Sequence, residues 1–136
     1  MSGKVFFDTN ILIYALGQSD PRTTASKRLL VQGGVVGVQV LNEFVAVARR
    51  KLAMSWEDIA EALEAIRSFC GEPTPLDGKI HAVAVDLARR HGLEIYDALI
   101  VSAALAARCA VLYTEDMQHG RMFQGRLTLE NPFVSH

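Results

Sequence analysis

The sequence predicts an α/β fold: a short central, mostly parallel sheet with helices on both faces, a three-layer α/β/α arrangement. Three observations carry this. Short apolar, β-favouring runs ("KVFF", "VVGV", "AVLYT") alternate with amphipathic helical stretches. One helical stretch, Ala98 to Ala107, is apolar on nearly every side, as a helix packed on both flanks must be. The chain has 136 residues, half of them hydrophobic, so it suffices for one domain, residues 1–136, with a single core and no repeat or linker.

"KVFF" reads as the first strand. It passes at Asp8 into "TNILIYAL", where Ile11, Tyr14 and Ala15 share a helical face. "DPRTTASKRLLVQGG" reads as a second helix, with Asp20 as N-cap, Pro21 at the first helical position and Gly33-Gly34 at its end. "VVGV" is a brief strand. "QVLNEFVAVARRKLA" is an amphipathic helix with Val40, Leu41, Phe44, Val47 and Ala48 inward, and "SWEDIAEALEAIRSFCG" is its hairpin partner, capped by Ser55 and Asp58 and closed by Gly71. Trp56, just after that cap, reads as a packing anchor. "EPTPL" is an extended connection. "DGKIHAVAVDLARRHG" is a helix ending at Gly92, with Arg89, Arg90 and His91 complementing its dipole. "EIYDALIVSAALAARC" is the central helix, "AVLYT" a buried strand, "EDMQHG" a loop and "GRLTLENP" a last edge strand.

Charge excludes a global polyanion-binding surface, since 14 basic and 15 acidic residues leave a formal charge of -1. The basic groups at Arg49-Arg50-Lys51 and Arg89-Arg90 read first as solvated helix ends and second, with Lys27, Arg28, Arg121 and Arg126, as phosphate contacts. Cys70 and Cys109 form no CxxC pattern and read as reduced core thiols of a cytoplasmic protein. His81, His91, His119 and His136 lack metal-ligand spacing, which argues against zinc. The N-terminus has no signal-peptide core, and no stretch is long enough to span a membrane.

Four acids interrupt the apolar pattern where ligands collect in open α/β sheets, outside the carboxyl ends of the strands. Asp8 ends the first strand, Asp116 follows "AVLYT", and Asp97 stands in the first turn of the central helix. Glu43 lies one turn from Val40 and Val47 on an inward helical face, where a carboxylate is costly unless something compensates it. Converging carboxylates repel one another, and a divalent cation removes that repulsion. An all-oxygen set suits Mg²⁺ or Mn²⁺. Thr9, Asn10 and Thr114 stand beside these acids as supporting donors or helix caps. Glu115 is the rival to Asp116 as a ligand in its loop. Taken singly, Asp8 and Asp97 are equally read as ordinary residues at helix starts. Together the four suit hydrolysis of phosphodiesters through a metal-activated water, with no separate His or Lys base.

The motifs "FFDTNILIYAL", "LNEF", "YDALIVSAAL" and "LYTEDMQHG" resemble, in order and separation, the four acidic motifs of PIN domains. The resemblance spans essentially the whole chain, whose length is similar to that of VapC toxins of toxin-antitoxin pairs. It implies metal ligands at Asp8, Glu43, Asp97 and Asp116, Mg²⁺- or Mn²⁺-dependent cleavage of RNA, a homodimer and inhibition by a cognate antitoxin protein. A receiver-type phosphoacceptor is disfavoured, because "FFDTN" lacks an acid pair and no suitable Lys follows "AVLYTED". A PIN-like module that binds RNA or protein without cutting it is the remaining alternative.

Overall fold

The computed structural model describes residues 3–134. Strand β1 (Val5–Phe7) leads into a short α1 (Thr9–Leu12), which continues as a π-helical turn over Ile13–Gly17. Five longer helices follow: α2 (Thr23–Gln32), α3 (Val38–Arg50), α4 (Trp56–Cys70), α5 (Gly78–His91) and α6 (Ile95–Ala106). The chain then returns to the sheet as β2 (Val111–Tyr113), β3 (Met122–Phe123) and β4 (Leu127–Glu130).

The sheet order is β1-β2-β4-β3, with β1, β2 and β4 parallel and β3 antiparallel to β4. Side chains alternate across it as the pleat requires. Phe6, Leu112, Leu127 and Leu129 are fully buried on one face, where the Phe6 ring closes on Gly37, with Ala103 of α6 beside it. Val5, Val111 and Tyr113 lie on the other face, beside Leu29 of α2. Gly34 packs so tightly there that a Cβ would meet the Phe7 ring at 2.7 Å, which explains a glycine at that position. Helix α6 is buried continuously from Ala98 to Leu105, and its Ser102 hydroxyl donates to the Ile80 carbonyl of α5 at 2.8 Å.

The expected helices over α3 to α6 are present, with caps from Ser55 to Asp58 N and from Asp77 to Ile80 N, and with Gly92 left-handed at the end of α5. Four expectations need correction. The second helix begins at Thr23, because Asp20 is spent on a turn: its carboxylate accepts from the Arg22 amide at 2.8 Å and its own amide donates to Thr23 Oγ1 at 3.0 Å. "VVGV" forms only isolated bridges, Val35 to Phe6 and Gly37 to Thr74, since the chain crosses from the margin of β1 to the extended segment at Thr74 within three residues. The last strand is not an edge: β4 lies between β2 and β3, and the two-residue β3 is too short to show periodicity. Trp56 is 59 % exposed and carries the Arg49 guanidinium over its ring at 4.7 Å, while Ile59, Ala62 and Ile66 anchor α4.

Cys70 and Cys109 are free thiols, and burial pushes both up to about 11. Among the described residues no helix is long and apolar enough to cross a membrane. His136 lies outside the described residues.

Candidate metal centre

The register of the first two strands builds the site. Phe7 pairs with Tyr113, and the ladder runs one step further, from the Asp8 amide to the Tyr113 carbonyl at 3.0 Å. Asp8 and Thr114 therefore leave the sheet side by side. Thr114 Oγ1 donates to Asp8 Oδ2 at 2.7 Å and accepts from the Asp116 amide at 3.2 Å, so one hydroxyl joins both strand ends. The other oxygen of Asp8 accepts from the Thr9 amide at 2.6 Å and caps α1.

Glu43 reaches this edge from α3. Its Oε1 accepts from the Thr9 hydroxyl at 3.3 Å and its Oε2 from Gln39 Nε2 at 3.0 Å. Asp97 is half-buried in the first turn of α6, and Asp116 is exposed in the loop after β2. Thr9 and Thr114 thus touch these acids, whereas the Asn10 side chain has no hydrogen bond to any of them. Its amide nitrogen and oxygen are both buried with no hydrogen-bond partner among the described residues.

The four acids share one electrostatic field. Burial pushes the Asp8 carboxyl up to about 7; hydrogen bonds from Thr114 and Thr9 pull it back, and the charges of Asp116 and Glu43 push it further up. Asp97 is also raised, by burial first and then by Glu94, Asp116 and Glu43. Among the described residues no Lys or Arg forms an ion pair with any of the four.

The donor chemistry fits a hard divalent cation, being all oxygen and negatively charged. Asn10, two residues beyond Asp8, adds a buried polar group still lacking a partner, and such groups ordinarily find a protein atom, a water or an ion. The side-chain directions are a different matter. Among the described residues no three acidic, His or Cys side chains stand close enough to hold one ion as they lie. Carboxylates without a counter-charge repel, and here Asp8 and Glu43 turn to hydrogen-bond donors instead.

Three residues that sequence reasoning missed shape the surroundings. Gln39 holds Glu43 across one helical turn, an i,i+4 pair that the sequence does contain. Tyr14 and Arg22 both bind Glu115: Arg22 Nη1 donates to Glu115 Oε2 at 2.6 Å and Tyr14 Oη to Oε1. No local pattern announces those contacts, which link segments about ninety or more residues apart.

Asp8 is thus buried at the end of β1 and joined through Thr114 to a second strand end, with the charges of Asp116 and Glu43 acting on it. The chain belongs to the PIN domain family, whose model matches residues 5–122. Its fold is similar to that of a toxin-antitoxin complex from Klebsiella pneumoniae, at 19 % identity over 96 % of this chain and 98 % of that one, with a TM-score of 0.72. It is likewise similar to VapBC2 from Rickettsia felis bound to a promoter DNA fragment, at 24 % identity over 93 % and 97 % of the two chains, TM-score 0.64. A third similar structure is VapC20 of Mycobacterium tuberculosis, a toxin that cleaves the sarcin-ricin loop, at 17 % identity over 83 % and 90 %, TM-score 0.63. No curated protein matches the chain.

Proposed function

We propose that this single-domain protein is a cytoplasmic endoribonuclease dependent on Mg²⁺ or Mn²⁺, and the toxin of a toxin-antitoxin pair. Asp8, Glu43, Asp97 and Asp116 would hold the cation, directly or through water, with Thr9, Asn10 and Thr114 in support. PIN family membership supports this, as do the similar folds of toxins solved with antitoxins or named for cleaving the sarcin-ricin loop. The observation that carries it is the buried Asp8 carboxyl, surrounded by further acids and unpaired with any Lys or Arg.

A bound divalent cation would lower the pKa of a water and offset charge developing on the phosphate oxygens. The residues of the chain do the rest. Thr114 orients Asp8 through its hydroxyl and ties the Asp116 amide to the same atom. Asp8 is itself buried, at 3 % exposure. Exposed Asp116 faces the solvent from which a phosphodiester must approach. A cognate antitoxin is the partner that the similar toxin-antitoxin complexes support, and a second copy of the chain is the partner expected from the family resemblance alone.

The test is cleavage of a short RNA by purified protein with and without Mn²⁺. The proposal expects metal-dependent fragments that Asp8→Asn abolishes. The second reading is a PIN-like module that binds RNA or protein without cutting it. Intact RNA in the presence of Mn²⁺, with binding retained, would establish that alternative.

A further inference from the structure

Glu115 is a fifth carboxylate at the same edge, placed between Thr114 and Asp116, yet it does not join the other acids. Arg22 Nη1 holds its Oε2 at 2.6 Å, and the Tyr14 hydroxyl donates to its Oε1. Arg22 is itself fixed: Nε and Nη2 grip Asp20 at 2.7 and 2.9 Å, and its guanidinium lies 4.1 Å over the Tyr14 ring. Tyr14 packs edge-on against Phe133 at 5.5 Å. Adjacent acids therefore have opposite allegiances. The Glu115 side chain goes to a cation on the α2 side, while the Asp116 amide bonds to the hydroxyl that also holds Asp8.

We propose that Arg22, with Tyr14, is a positioning pair that keeps Glu115 out of the acidic set and so fixes the Thr114–Asp116 backbone in the form that a cation needs. This rests on the reading of the four acids as a metal site. Once Arg22 is gone, Glu115 has lost its fork-shaped partner. A free carboxylate next to Asp116, one member of the set, then adds repulsion and competes as a misplaced ligand. Arg22 acts through Glu115, so neutralising Glu115 should cancel the loss of Arg22. A merely structural corner predicts no such cancellation.

The experiment measures Mn²⁺ affinity of the purified full chain from the free-ion paramagnetic resonance signal, without reference to activity. Arg22→Met should weaken binding roughly tenfold, in the range typical of disturbed outer-shell partners. Arg22→Met/Glu115→Gln should return to within about threefold of wild type, Glu115→Gln alone should stay there, and Tyr14→Phe should fall in the same direction as Arg22→Met by a smaller factor. Amide exchange at residues 114–116 should quicken in Arg22→Met and slow again in the double variant. Unchanged affinity in both Arg22→Met and Tyr14→Phe, or a double variant as weak as Arg22→Met, overturns the positioning role while leaving the metal site standing. Failure of wild type to bind Mn²⁺, or equal binding by Asp8→Asn, overturns the metal site and this role with it.

Discussion

Two groups of acids sit a few residues apart at one edge of the sheet, and they are treated in opposite ways. Asp20 and Glu115 are both claimed by Arg22, and the carboxyl of Asp20 is held down at about 2 by hydrogen bonds from Arg22. Asp8 is buried, forms no ion pair with Lys or Arg among the described residues, and is pushed up to about 7. The chain can evidently place an arginine at this edge, and it places it on the outer pair. Selection for stability alone would favour compensating the buried acid, because uncompensated burial is the costlier condition. Under the proposed function, the place beside Asp8 is the one a cation from solution would take.

Breaking the uncompensated side should have the largest effect. Asp8→Asn or Asp97→Asn should lower RNA cleavage on the order of 10³-fold, the several kcal/mol that such a ligand supplies; single-turnover assays of the purified variants check this. The next effect is on stability in chelator. A carboxyl raised to about 7 in the fold and near 3.8 when unfolded keeps its proton only in the fold between those values. In the metal-free protein the contribution of Asp8 to stability should thus be present below about pH 4 and be lost, on the order of 4 kcal/mol, as pH rises through 7. Denaturant melts should show that slope flattened in Asp8→Asn, which should be the more stable protein at pH 8.

Thr114→Val removes the hydroxyl that joins the two strand ends. It should reduce cleavage about 10- to 100-fold and destabilise the fold by about 1–3 kcal/mol, as read from kinetics and melts of the same sample. On the compensated side the expected change is small. Asp20→Asn disturbs a pair whose arginine side chain is 38 % exposed, so it should cost at most about 1 kcal/mol. A loss as large as that of Thr114→Val would erase the contrast between the two groups.

The parts of this picture that were legible in the sequence are those set by local pattern. Strand β1, helices α3 to α6 and β2 follow from apolar periodicity and caps such as Ser55. Asp8 and Thr114 could be placed at strand ends because each directly follows an apolar run. What local pattern cannot supply is partner choice across the chain. Arg22 and Glu115 meet only because the turn at Asp20 and the loop after β2 arrive at one corner. β4 lies inside the sheet because the chain reverses at β3, two residues with no period to read. Trp56 was misplaced for a related reason: its large apolar ring suggests burial, whereas packing on Arg49 leaves it at the surface. Asn10 remains a buried amide whose partner neither the sequence nor the contacts identify.

The central claim is that the unpaired acids are a site for a divalent cation, and Mn²⁺ anomalous scattering tests it most directly. A crystal soaked at a concentration that supports cleavage should show a peak between Asp8 and Asp97, with Glu43 turned from Gln39 towards it. The same soak with no peak among the four acids, or with one only elsewhere on the molecule, would contradict the account.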